Sequence, residues 1–180
     1  RSPDSCPSAP GDVISYTFQG GGGYGDPIER SLDAVLEDVR LGYVTPDEAN
    51  RIYGVVTVAS GEVDLVGTER QRAAIRKERI GATPIRGTDA REVLGRQLTP
   101  RLTLTSDGAI VDACGHSFGT GPNWKAAAVT RAAAPGSHGK HVITHEDLEI
   151  REYVCPSCGT LLESNVSRIG ADDLVTSELL

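Results

Sequence analysis

Methionine occurs nowhere in this chain, position 1 included. A cytosolic polypeptide begins with Met unless it is trimmed, so the sequence reads as a piece of a longer one. Aromatic residues are scarce as well: two Phe, five Tyr and one Trp among 180 residues, with hydrophobic residues at 38%. That supply suits two modest cores better than one thick one. Basic charge is not in excess. A formal net charge of −7 excludes a protein that binds phosphates by counterion release, and no nucleic-acid partner is expected. The densest basic stretch, Glu69 to Arg79, is interrupted by acids and falls in a helical pattern, as a solvated helix face does. No apolar run approaches the ~20 residues of a membrane span, and no charged-then-apolar leader opens the chain. Membrane association is therefore not expected. No nucleophile–base pair stands out, and no catalytic residues are expected in this segment by itself.

What is present is concentrated in two short cysteine motifs, Asp112-Ala113-Cys114-Gly115-His116 and Cys155-Pro156-Ser157-Cys158-Gly159. The second is a zinc knuckle: two thiols three residues apart, with a glycine that lets backbone amides turn toward the sulfurs. The first is irregular, because Val111 stands where a matching C-x-x-C would place its first thiol. His116, two residues after Cys114, is the expected fourth ligand, with Asp112, two residues before it, as the competitor. Three thiolates and an imidazole would make a saturated, structural Zn2+ site tying two distant stretches together. An aspartate ligand would exchange more readily, and a water in its place would leave a position open for Lewis-acid chemistry. Cysteines in metal-type motifs without a secretory leader point to a reducing, cytoplasmic setting. Cys6, in a turn-rich stretch, reads as an unpaired bystander.

The pattern along the chain predicts an α+β fold in two parts. A strand over Val13–Phe18 leads through Gly20–Gly25 to a helix with Asp26 as cap, Pro27 first, and an apolar stripe of Ile28, Leu32, Val35, Leu36 and Val39, ended by Gly42. A shorter helix starts at Thr45, Pro46 and Glu48. Val55–Val58 and Val63–Leu65 read as extended segments around Ser60-Gly61, followed by a third helix from Thr68 to about Ile80. Residues 81–100, punctuated by Gly and Pro, are the expected linker, with a short helix around Ala90–Leu94. The last part reads as a mostly β, zinc-ribbon-like domain. Leu102–Thr105 and Ala109–Val111 flank an Asp107-Gly108 hairpin turn. Strands over Leu148–Val154 and Thr160–Val166 enclose the knuckle, and residues 130–147 read as loop. The expected units are thus residues 1–80, a linker over 81–100 and a domain over 101–180.

Three further features carry weaker signals. Gly20-x-Gly22-x-x-Gly25 formally fits a dinucleotide fingerprint, but a glycine run satisfies many patterns, and no compact βαβ unit follows. A tight backbone crossing is the preferred expectation, with an anion cradle as the alternative. His138, His141 and His145 offer donors for a second metal, although a surface loop is expected. Trp124 reads as a core anchor or interface plug.

Gly20 to Arg30, then Ala34 to Gly42, then Tyr53-Gly54-Val55-Val56 resemble the C-terminal end of the hydantoinase B / oxoprolinase family over roughly residues 10–80. Cys114-Gly115-His116, Asn123-Trp124-Lys125 and Arg151 to Glu163 resemble the small zinc-containing gamma subunit of acetone carboxylase and its acetophenone carboxylase relative, over roughly residues 100–180. Members of that small-subunit family often carry cysteine at the place of Asp112. The combined resemblance implies the end of a B-like subunit joined to a structural zinc module. The assembly would be a multi-subunit, ATP-dependent carboxylase of ketones. Its partners would be a hydantoinase A-like subunit and the rest of the B-like chain, with ATP and bicarbonate bound on partner chains. The alternative it implies is a subunit of an ATP-dependent hydantoinase, 5-oxoprolinase or lactamase that hydrolyses cyclic amides.

Overall fold

The structure is a computed structural model that describes residues 11, 25–121, 123–139 and 142–172. The strand expected over Val13–Phe18, residues 20–24 of the glycine run, Cys6 and His141 lie outside the described residues. The described chain is α+β, with helices in its first part and two antiparallel sheets in the rest.

Asp26 caps a single 3₁₀ turn, Pro27–Glu29, by accepting from Ile28 N. The chain then becomes extended at Arg30, and Ser31 caps a separate helix, α1 (Leu32–Arg40). The single helix expected from Asp26 is therefore broken in two. The Asp26 carboxylate has other duties that fix its direction: it also takes both arms of the Arg79 guanidinium and the Leu161 N–H. Helix α2 (Pro46–Arg51) starts at the expected capping box, with Thr45 Oγ1 accepting from Glu48 N and Glu48 Oε2 accepting from Thr45 N; such a cap contributes about 1 kcal/mol. Val55–Val58 and Val63 meet in one isolated bridge, Thr57 to Val63, rather than in full strands. Helix α3 (Leu65–Ile80) begins a turn earlier than expected, because Asp64 supplies the cap through Gly67 N. Val35, Ala49 and Val55 form the small core of this part, with Leu32, Val39, Val44, Tyr53 and Val63 packed on it.

Residues 82–95 form no helix or strand, so the short helix expected around Ala90–Leu94 is absent; the backbone N–H of Arg91 instead bonds Ala113 O. The first sheet runs β1 (Arg96–Gln97), β2 (Leu102–Leu104), β3 (Ala109–Asp112), β4 (Ser117–Thr120), in that order. The Asp-Gly turn joins β2 to β3 as the sequence indicates. The second sheet runs β5 (Val129–Ala133), β6 (Leu148–Val154), β7 (Leu161–Arg168). Strand β5 corrects the loop expected over 130–147. Its Thr-Arg-Ala-Ala stretch has weak strand character of its own but pairs residue for residue with Tyr153 to Ile150 of β6. The core between the sheets holds Leu102, Ile110, Phe118, Trp124 and Tyr153 together with Cys114, Cys155 and Cys158. Trp124 anchors it, edge-on to Phe118 at 5.6 Å and to Tyr153 at 6.1 Å between ring centroids.

Candidate metal centre

Each sheet sends one hairpin end into the same buried spot. Strand β3 finishes at Asp112, and a tight turn follows in which Gly115 N donates to Asp112 O and Asp112 N donates to His116 O. Gly115 takes φ +82°, where a side chain is rarely tolerated. The second sheet contributes the tip of the β6–β7 hairpin, closed by Cys155 N to Thr160 O and Gly159 N to Cys155 O, both 2.9 Å. These two turns bring Asp112, Cys114, Cys155 and Cys158 together, with one ligand atom from each lying within 4.8 Å of all the others.

The spacing is near that of a tetrahedral ion site. Cys114 Sγ and Cys155 Sγ are 3.7 Å apart, and Cys158 Sγ is 3.3 Å from Asp112 Oδ2. Metal–sulfur bonds of about 2.3 Å and a metal–oxygen bond of about 2.0 Å in a tetrahedron require separations of roughly 3.5–3.8 Å. All four side chains are at most 1% exposed. Three thiolates and a carboxylate buried together would be costly without a cation to gather their charge, and soft thiolates with one oxygen suit a divalent zinc-like ion. The donor set therefore fits such an ion, and its burial leaves no side open to water.

The electrostatics of the four donors are divided. Burial pushes Cys114 up to about 12, with Asp112 beside it adding to the effect. The Cys155 thiol is also pushed up, first by its hydrogen bond to Cys158 and then by burial. That same bond outweighs burial at Cys158 and, with the Thr160 hydroxyl at 3.3 Å, draws it down to about 6. Burial alone would raise the Asp112 carboxyl, but Cys114, Arg101 and Cys158 together hold it below the usual carboxylate range. A dication with three thiolates and a carboxylate is a doubly negative cluster, and cations stand around it. Arg101 Nε lies 3.1 Å from Asp112 Oδ1, and Arg86 reaches the Cys114 carbonyl at 3.4 Å.

His116 is placed beside this group, not in it. Its Nδ1 is 2.8 Å from Ser157 Oγ, and its ring meets Phe118 edge-on at 4.8 Å. Burial, then Arg86, push its pKa down. The imidazole thus stitches the first turn to the knuckle through Ser157. This Ser–His contact has no signal in the sequence, since 41 residues separate the two. Of the other histidines, His138 pairs with Glu152 at 3.1 Å, and His145 is exposed. Among the described residues, no other group of metal-type donors forms. Gly25 takes φ +82° with no atom within 4 Å of where a Cβ would be.

The knuckle is also tied to the helical part. A Cβ at Gly159 would lie 2.7 Å from Arg76 O of α3. The backbone N–H groups of Ile85 and Arg86 both donate to Ser157 O, and Asp26 accepts from Leu161 N just beyond the knuckle. No helix among the described residues is long and apolar enough to cross a membrane.

No protein-family model matches the chain. It is 48% identical over 65 residues to the caprolactamase beta subunit of Pseudomonas jessenii, covering 36% of this chain and 11% of that protein. It is 46% identical over 73 residues to the acetone carboxylase alpha subunit of Xanthobacter autotrophicus, covering 38% and 9%. The B component of a provisionally named D-/L-hydantoinase from a Pseudomonas strain is 39% identical over 62 residues, covering 34% and 10%. About a third of the chain is thus related to hydantoinase B-type, lactamase and carboxylase subunits, all parts of enzymes. The chain spans about a tenth of the length of these curated relatives.

Proposed function

We propose that this chain is the metal-braced end of a B-like subunit in a multi-subunit, ATP-dependent carboxylase of the acetone/acetophenone type. Residues 1–80 would be the hydantoinase B-like segment, 81–100 the connection and 101–180 the zinc module. The observation that carries this reading is the closed group of Asp112, Cys114, Cys155 and Cys158, joined to kinship with a carboxylase subunit. Zn2+ held by these four side chains would be structural: its donors are saturated and buried, so water has no position on the ion. Its work would be to lock the β3–β4 and β6–β7 hairpins into one body and to hold α3 and the Asp26 turn against it. Catalysis, ATP and bicarbonate would reside on the rest of the B-like chain and a hydantoinase A-like partner, in a hetero-oligomer.

A second reading, hydrolysis of a cyclic amide, is favoured by the 48% identity to a caprolactamase subunit. One experiment separates the two. The full protein is co-expressed with its A-like partner and supplied with ATP. Consumption of a simple ketone that requires bicarbonate supports the carboxylase. Ring opening of a lactam or hydantoin at the same rate without bicarbonate supports the hydrolase and overturns the first reading.

A further inference from the structure

We propose that Arg101 links occupancy of the metal centre to docking of the Pro27–Glu29 turn, so that each strengthens the other. The inference rests on the four-donor group being a metal centre. The Arg101 side chain is 11% exposed and its guanidinium is shared between two sides. One edge faces the centre: Nε is 3.1 Å from Asp112 Oδ1, and Nη2 is 3.5 Å from Asp112 Oδ2 and 4.0 Å from Cys158 Sγ. The other edge faces the connecting segment and the first part of the chain: Nη1 donates to Thr88 O at 3.1 Å and lies 3.4 Å from Glu29 Oε1.

A guanidinium is a rigid planar fork, so holding one edge aims the other. Glu29 touches none of the four donors, yet through Arg101 it sets the direction from which Asp112 is held. Outer-shell partners that orient a ligand typically alter metal affinity by about 10- to 100-fold. Linkage makes the effect mutual: if Glu29 tightens the ion, the ion must tighten the turn that carries Glu29. Direct Coulomb attraction between Glu29 and the ion would act whether or not Arg101 is present, so it would survive removal of the fork.

The test uses the full protein loaded with Zn2+, with release followed on addition of excess chromophoric chelator. Glu29→Gln is expected to lose zinc about two- to fivefold faster, the range of a part-exposed ion pair. Arg101→Gln and Arg101→Lys, which both remove the fork, are expected to lose it about tenfold faster or more. Glu29→Gln added to Arg101→Gln should change nothing further, because the link is already cut. Deuterium exchange over residues 27–40 should rise when the wild type is stripped of zinc, and should already be raised in loaded Glu29→Gln. The mild Glu29→Gln variant keeps the test informative if an Arg101 variant does not fold. A wild type that holds one ion while Glu29→Gln releases it at the same rate or more slowly overturns the coupling alone, as do effects that simply multiply. A wild type that binds no metal overturns the coupling and the metal reading together.

Discussion

Asp112 and Glu152 illustrate how single buried carboxylates are held in this structure. Asp112 sits between Arg101 and the thiols, whereas Glu152 sits between Arg131 Nε and His138 Nε2, both at 3.1 Å. Burial raises the Glu152 carboxyl, but the closeness of His138 and the Arg131 charge outweigh it, and the net shift is downward from 4.5. A carboxyl depressed in the folded state contributes stability that is fully present above its ordinary value and is lost as pH falls through the folded one. Glu152→Gln should therefore lower stability by about 2 kcal/mol at neutral pH. It should also flatten the decline in stability expected below pH 4.5. Denaturant titrations at a series of pH values check this; an unchanged acid limb would remove Glu152 from the account. At this scale the gathering of the three cysteines was legible, because three-residue spacing before a glycine has few other uses. Which neighbour of Cys114 faces the sulfurs was not. Asp112 and His116 flank Cys114 at equal distance in sequence, and only the turn, through Asp112 N to His116 O, directs one toward the sulfurs and the other toward Ser157.

Elements were legible where their signals are local. The capping box of α2, the Asp-Gly hairpin and the alternation of β6 depend on neighbouring residues alone. Elements that exist because of a distant partner were not: β5 is made by β6, two-residue β1 by β2, and the break after Glu29 by Arg79 and Leu161 drawing on Asp26. The contact between the knuckle and α3 is of this second kind, and it gives a sharp prediction. Gly159 and Gly108 both take a left-handed φ, +75° and +80°, but a Cβ at Gly159 would meet Arg76 backbone, while one at Gly108 would meet nothing within 4 Å. Gly108→Ala should cost only the backbone strain, about 1 kcal/mol. Gly159→Ala should cost about 3 kcal/mol or more, since the helix backbone must also move. Equal losses in thermal unfolding would mean that the knuckle does not lean on α3.

At the scale of the molecule, two thin cores and two small sheets among the described residues cohere through a few long-range ties that converge on one place. The aromatic chain of Phe118, Trp124 and Tyr153 packs beside the four donors, and Asp26, Arg79 and Arg101 fasten the helical part to the same region. The α+β class was legible in the pattern along the chain, but the way helices and sheets converge on one centre was not, because it depends on ion pairs spanning 53 to 72 residues. Arg101, which pairs with Asp112 across 11 residues and with Glu29 across the longest of those spans, stands where the two parts meet. X-ray absorption at the zinc edge of the purified full protein tests this centre most directly. The account predicts one zinc per chain with three sulfur neighbours at about 2.3 Å and one oxygen at about 2.0 Å. A shell showing an imidazole in place of the oxygen, or zinc surrounded by oxygen and nitrogen alone, would contradict it.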